Sequence, residues 1–501
     1  TEDKTDTADF SDGMVSAGVS DTKDPFDRLQ RTVYHIGGST ELYTKTYGYY
    51  SPEPGKTSTQ VSSVTHTIGD ETTVESYTHD ENGNITSIRK DGTLKQTFTY
   101  DSFHQLVRED NAEADTTVLY SYDGYGNLTS KSVHGYTLDA SPTGTPAVKD
   151  YSYDATWKDK LTGINGEAIT YDENGNPLSY LDGGYHFTWQ NGRQLNTVGI
   201  GSATPSVSYS YDEKGYRVTK TVGAVTTRYT WIDDLITSSD NGTEKLHFFY
   251  DKNGRLTAFL SGGTMYYYLY NVQGIITGIL DYTGTLVVNY SYDAWGKIIK
   301  VTDGEGTDKT ADGAFLGNVN PFRYKGYCYD NETGFYYLQS RYYDPATGRF
   351  LNADDTDMLK GKDTELLAKN LFAYCENNPV MESDPSGYDL YYAYPGYIMS
   401  VGNIQNKRAD VMKVQIYLNN DSGVIGYHEG LCVLNWKIPK STIISGTYDS
   451  RTESIVSVFQ GILGLGQNRG KVDRATWYSL FQKGGNPFPP QADALKNGAV
   501  Y

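Results

Sequence analysis

Across 501 residues there are three cysteines, Cys328, Cys375 and Cys432, which cannot all pair and lack the close spacing of a zinc or redox motif. A disulfide framework is therefore excluded as the source of order. No apolar run is long enough to cross a bilayer, so this stretch of chain carries no membrane span. Basic residues form no stripe against a formal net charge of −19. A phosphate backbone would be repelled over most of such a surface, and no nucleic-acid partner is expected for the main body. The chain opens TEDKTDTADF, without an initiator methionine or a signal peptide, and reads as a fragment or processed piece.

What is present in excess is tyrosine, 46 residues against 16 phenylalanines, together with 53 glycines. With a modest apolar fraction this suits mostly β structure with many turns. The length allows two or three ordinary domains or one large repeat architecture. Tyr-Asp pairs at Tyr100, Tyr122, Tyr153, Tyr171, Tyr211, Tyr250 and Tyr292 recur near one or two multiples of roughly 20 residues, the range in which short units stack. YDGYGN, YDENGN, YDEKGY, YDKNGR and YDAWGK follow one plan. A strand ends in Tyr-Asp, the Asp carboxylate accepts backbone N–H groups ahead of it, a glycine takes the positive φ of the bend, and a second alternating strand returns. One hairpin is marginal alone, so each unit is expected to bury its face against the next.

Asp172, Asn174 and Asn176 have the odd-position spacing of a calcium loop. Pro177 stands where that loop needs glycine and Gly183 where it needs glutamate, so no metal is expected. Repeated tyrosines also line carbohydrate sites, and glycan contact stays a minor alternative to packing between rungs.

The pattern resembles the YD repeats of RHS-repeat proteins, a group that includes the C components of insecticidal toxin complexes and the teneurin ectodomains. The resemblance starts near DPFDRLQRTV and is clear from about Thr78 to Gly304. It implies hairpins wound into a spiralled shell or barrel. From Asn320 the text becomes NPFRYKGYCYDNETGFYYLQSRYYDPATGRFLNADD, followed by LFAYCENNPVMESDPSGY, and this is similar to the RHS-repeat-associated core. The domains expected are an acidic, flexible lead (1–25), the repeat shell (26–319), the core (320–388) and a variable C-terminal domain (389–501).

In that family the core closes the shell and acts as an intramolecular aspartyl protease. By resemblance Arg341, Asp354 and Asp384 are its catalytic candidates, Pro379, Pro385 and Gly387 stand at the places of the terminal sequence, and the cut falls between Tyr388 and Asp389. Two positions depart from the family pattern: Tyr388 replaces leucine and Asp355 replaces proline. Two carboxyl groups held close do not both ionise cheaply, which suits one to activate water and the other to assist the leaving group, with an arginine to orient them. The other reading is an ion-pair brace built on Asp-Pro turns. Asp344 begins a turn like those upstream, and Cys328 and Cys375 have no histidine partner that would make a thiol nucleophile.

After the core, apolar residues take helical spacing, as at Val411, Val414 and Leu418. ISGTYDSRTESIVSVFQGILGL with GKVDRATWYSLF resembles a three-helix peptidoglycan-binding domain over 408–485, interrupted by GVIGYHEGLCVLNWKIPKST. Tyr448 and Trp477 are its candidate glycan contacts, although Trp477 suits the small core equally. His428 and Glu429 lack the second histidine of a zinc protease, and GLGQNRG lacks the spacing of a phosphate loop, so no cofactor is expected. Three functions follow: a secreted or surface-attached bacterial shell that encloses or presents its own C-terminal domain, with the cell wall as a site of attachment; a delivery protein that frees a C-terminal toxin by self-cleavage; or a non-catalytic scaffold that binds glycans. Peptidoglycan or a surface glycan is the partner of the first, and an immunity protein that of the second.

Overall fold

In the Tyr-Asp turns, apart from the wider one at Asp154, the aspartate does two jobs at once. Its backbone N–H donates to the carbonyl four residues on, as from Asp172 to Asn176 (2.9 Å). Its side-chain Oδ1 accepts the N–H groups two and four residues on, as from Asn174 and Asn176 to Asp172 (2.9 Å each). Gly83, Gly126, Gly175 and Gly215 take the fourth position at φ between 73° and 91°, where a Cβ would be strained. The same closure recurs at Asp80, Asp123, Asp212, Asp281, Asp293 and Asp303. The carboxylate of Asp172, the candidate calcium ligand, is thus taken up by its own turn.

The computed structural model describes residues 4–8, 17–26, 28–36, 40–51, 58, 60–181, 183–251, 254–354 and 370–387. Among them, 27 strands run from β1 (Lys4–Ala8) to β27 (Ile298–Thr302) as two antiparallel sheets, of fourteen and then thirteen strands, each in chain order. β18 (Val207–Tyr211) and β19 (Arg217–Val222) show the register: Val207 faces Val222, Tyr211 faces Arg217, and a bulge falls between Ser210 and Tyr211. The pairing is interrupted between β14 (Glu167–Ala168) and β15 (Ser179–Tyr180), where Pro177 has no N–H to give. The Tyr171–Pro177 bridge and the bond from Leu178 N to Thr170 O (2.7 Å) carry the ribbon across.

In most Tyr-Asp pairs the tyrosine ties one hairpin to the one before; the Tyr292 hydroxyl, ahead of Asp293, has no hydrogen-bond partner. The hydroxyl of Tyr100 donates to Ile85 O (2.8 Å), Tyr122 to Leu106 O (2.7 Å), Tyr153 to Leu128 O (2.7 Å), Tyr211 to Leu195 O (2.8 Å), Tyr250 to Ile236 O (2.8 Å) and Tyr270 to Leu256 O (2.7 Å). Burial raises these phenols, Tyr153 to about 12, so they remain donors at neutral pH. Two rungs use indole instead: Trp189 Nε1 donates to Pro177 O (2.6 Å) and Trp231 Nε1 to Arg217 O (2.9 Å). With Tyr270 before Asn271, they fill the double intervals left by the Tyr-Asp pairs. At the other end Tyr49 donates to Leu29 O (2.6 Å), five residues after the Asp24 turn. Strands β1 and β2 (Ala17–Lys23) lie within the stretch read from sequence as an acidic lead.

The ribbon coils until distant strands meet. Tyr34, Leu42 and Tyr43 pack with Ala258, Tyr267, Leu269 and Leu280. Further along, Gln96 and Asn111 both donate to Tyr292 O (3.3 Å each), and Glu109 Oε1 accepts the N–H of Ala294 (2.9 Å). The core segment forms its own antiparallel sheet, β28 (Cys328–Asp330), β29 (Phe335–Leu338), β30 (Arg341–Asp344) and β31 (Arg349–Phe350), and every residue of the last three is buried. It is held from all along the ribbon: Asn378 to Asn84 (3.2 Å), Asn370 to Asn127 (2.6 Å), Arg349 to Asp159 O (2.7 Å), Tyr209 to Asp330 (3.1 Å) and Tyr343 to Trp295 O (2.7 Å). The fold is mostly β, as expected; the helical C-terminal domain expected after it lies outside the described residues.

Two tests follow. Tyr122→Phe leaves the Leu106 carbonyl without its donor and should lower stability by about 1 kcal/mol, measured by urea unfolding. Burial, and then the charge of Asp293, pushes the Glu109 carboxyl from its ordinary 4.5 up to about 7. The folded state therefore holds this proton longer than the unfolded chain, and stability drains away as pH rises from 4.5 to 7, by on the order of 3 kcal/mol. In Glu109→Gln the melting temperature should lose that part of its pH dependence and exceed the parent's at pH 8.

Candidate functional site

β29 and β30 join through a tight connection, and Arg341 is the first residue of β30, so its guanidinium leaves the sheet at an end and not in the middle. The chain returns to this end twice. Leu351 N donates to Tyr342 O (2.9 Å) and Asp354 N to Leu371 O (3.0 Å), which carries Asp354 alongside. Later, Ser340 binds Ser386 O through its N–H (3.1 Å) and its hydroxyl (2.8 Å), which brings back Asp384 to Gly387. Gly387 sits at φ 72°, and a Cβ there would meet Leu338 O and Ser340 Oγ at 2.6 Å, so only glycine fits.

Arg341 is buried and makes contacts in four directions. Its Nη2 lies 3.1 Å from Asp354 Oδ2 and 3.1 Å from Asp384 Oδ2. Nη1 donates to Leu371 O (3.1 Å), Nε donates to Gly387 O, and the guanidinium lies 3.6 Å over the Phe350 ring. Asp384 is fixed further: its N–H donates to Tyr327 Oη (2.9 Å) and its Oδ1 accepts the Gly387 N–H (2.8 Å). The side chain of Asp354 is the more open of the two, 12% exposed against 3%. The three catalytic candidates named from sequence are therefore brought together on one nitrogen. Tyr388 and Asp389, the expected cleavage positions, and Tyr448 and Trp477, the wall-binding candidates, lie outside the described residues.

Beside this cluster is a cavity of 270 Å³, lined by Tyr327, Tyr337, Gln339, Lys325, Cys328 and Pro385 among others. Burial pushes the Lys325 ammonium down to about 8, and its Nζ donates to Glu382 O. Cys328 and Cys375 are unpaired and buried, and burial raises both thiols, Cys375 strongly. Asp344 serves its turn: Oδ1 accepts the Ala346 N–H (2.9 Å), and Oδ2 the hydroxyls of Thr347 (2.8 Å) and Tyr180 (2.9 Å). Among the described residues no group of three or more His, Cys, Asp or Glu is placed to hold a metal.

A second buried ion cluster was not anticipated. Arg217 Nη1 pairs with Asp330 Oδ2 (2.6 Å), Lys220 reaches Asp330 (3.2 Å) and Glu332 (2.9 Å), and Arg217 Nη2 donates to Cys328 Sγ (3.2 Å). It fastens β28 to β19. Its only trace in sequence is that CYDNETG repeats the Tyr-Asp turn inside the core. Ser340 and Tyr327, which hold the chain leading to the expected cut, carry no sequence signal of their own.

Residues 44–380 match the family model described as Teneurin YD-shell. The chain is similar to tRNA3(Ser)-specific nuclease WapA of Bacillus spizizenii, 36% identical over 311 residues, 60% of this chain and 12% of that protein. It is similar to tRNA nuclease WapA of Bacillus subtilis at 37% identity over 311 residues, with the same coverage of 60% and 12%. The chain thus spans only 12% of these curated relatives. Among solved structures, a Photorhabdus luminescens Tc holotoxin pore has a TM-score of 0.55 at 19% identity, covering 76% of this chain and 21% of that one, and shares the fold.

Arg341→Met keeps the length of the side chain and removes the cation between two carboxylates. Losing one partner of a buried ion cluster should destabilise the protein by about 3–5 kcal/mol, measured as a lower urea midpoint with the slope unchanged.

Proposed function

The chain belongs to the Teneurin YD-shell family, and on that premise we propose that it is the shell of a toxin-type delivery protein working outside the cell or at its surface. Its shell encloses or presents the polypeptide that follows Gly387 and separates from it by aspartyl self-cleavage. The observation that carries this reading is the position of the chain just before the expected cut: Ser386 and Gly387 are gripped by Ser340 and Arg341, beside Asp354 and Asp384. Hydrolysis needs only a water molecule besides. Asp354, the more open carboxylate, takes a proton as water oxygen adds to the Tyr388 carbonyl carbon. The C–N bond to Asp389 then breaks, and the proton passes to the leaving amine. Arg341 keeps the carboxylates and the preceding carbonyl in place.

Enclosure is supported by the core segment being bound along the ribbon from Asn84 to Trp295. The similarity to proteins named tRNA nucleases favours a toxin as the enclosed polypeptide. A second reading has its own support: both oxygens of Asp384 already accept bonds, from Gly387 N–H and from Arg341, as they would in a brace. In that case the shell is an uncleaved scaffold.

Intact-mass measurement of the purified chain separates the two. Cleavage predicts a fragment that begins at or near Asp389, lost in Asp354→Asn and Asp384→Asn, and this fragment should co-elute with the shell until urea is added. A full-length species that persists for days would leave only the scaffold.

A further inference from the structure

Among the described residues, positive φ falls on single residues or on a pair that includes glycine, with one exception. At Cys375, Glu376 and Asn377 it is positive three times in succession, at 51°, 47° and 63°. Asn377 N donates to Tyr374 O (3.0 Å) and Asn378 N to Cys375 O (2.7 Å), so the stretch is one turn of left-handed helix. That hand crowds the Cβ of an L-residue against the carbonyl that follows; asparagine tolerates it singly, and cysteine and glutamate are poorly suited to it. Glycine, the residue such a turn calls for, is absent.

Both ends of the turn are anchored to late parts of the chain. Tyr374 stacks on Tyr343, with 4.1 Å between ring centres, and its hydroxyl meets that of Tyr327 (2.9 Å). After the turn, Pro379 O accepts from Tyr324 (3.1 Å) and Val380 O from Gln273 (3.0 Å). Between these anchors the chain reaches across to early rungs: Asn377 Nδ2 donates to Gly126 O (2.7 Å) and Asn378 Nδ2 to Asn84 Oδ1 (3.2 Å). We propose that the Cys375–Asn377 turn is a strained clasp that opens locally, letting go of Asn84 and Gly126 while its anchors and the rest of the fold stay in place. The two carboxamide bonds and the burial of Cys375 offset the backbone strain and keep the turn wound. Local openings start where such a balance is narrowest. The inference holds whether or not the chain cleaves itself.

Cys375 supplies the readout, because it is unpaired and completely buried in the wound turn; Cys328, unpaired and buried on β28, reports opening elsewhere. The full chain is treated with iodoacetamide without denaturant, and peptide masses locate each label over time. Cys375 should be alkylated at least about 10-fold faster than Cys328, at a rate insensitive to low urea. Glu376 is exposed, so Glu376→Ala and Glu376→Gly both remove its side chain and differ chiefly in what the backbone prefers. Labelling of Cys375 should be about 5-fold slower in Glu376→Gly than in Glu376→Ala, since glycine takes positive φ freely. Equal rates at Cys375 and Cys328, both rising steeply with urea, would mean that the turn opens only with the whole fold and would overturn the proposal. Equal rates at Cys375 in the two Glu376 variants would overturn it as well, because strain would then have no part in the opening.

Discussion

The whole ribbon depends on a donor that reaches back one hairpin. In rung after rung an aromatic side chain ahead of the turn gives its hydrogen to the carbonyl that begins the previous return strand. That carbonyl lies beside the bulge of its own hairpin, where the ladder is disrupted. The aspartate closes its own turn, and the ring beside it closes the gap to the neighbour. Neither residue can be exchanged for one that merely packs, because both answer a hydrogen-bonding need of the backbone.

This division explains what could and could not be read in the sequence. Tyr-Asp followed by glycine reports turn and ladder together, and the β architecture was legible from it. Trp189 and Trp231 escaped because the requirement is for a ring with a donor at its far end, which indole also meets, and the turns after them are written QNG and IDD. Asn271 does the work of an aspartate, accepting N–H groups from Gln273 and Ile275 (3.0 Å each), and was missed for the same reason. A search for the chemistry in place of the letters recovers the rungs at Trp189, Trp231 and Tyr270, whereas at Tyr292 the hydroxyl has no partner and the series stops.

The candidate site was legible only through resemblance. Nothing in the spacing of Arg341, Asp354 and Asp384 says that they meet; the meeting is made by β30 and by two later passes of the chain. Nor does composition announce that Gly387 is confined by Leu338 O and Ser340 Oγ, or that Arg217 and Asp330 form an ion pair with no solvent exposure. Such long-range placements arise from packing inside the ribbon, where charged groups are admitted only with partners.

The asparagines that follow turn glycines have an effect on the order of assembly. Asn84 and Asn127 each brace their own aspartate and also receive an amide from residues near 370–378. Hairpins can form one by one as the chain emerges, since each needs only its predecessor. The clasp between early rungs and late core must wait for nearly the last described residue, so a chain halted midway would be a loose, unlatched coil. Closure by this clasp therefore follows the laying down of every repeat.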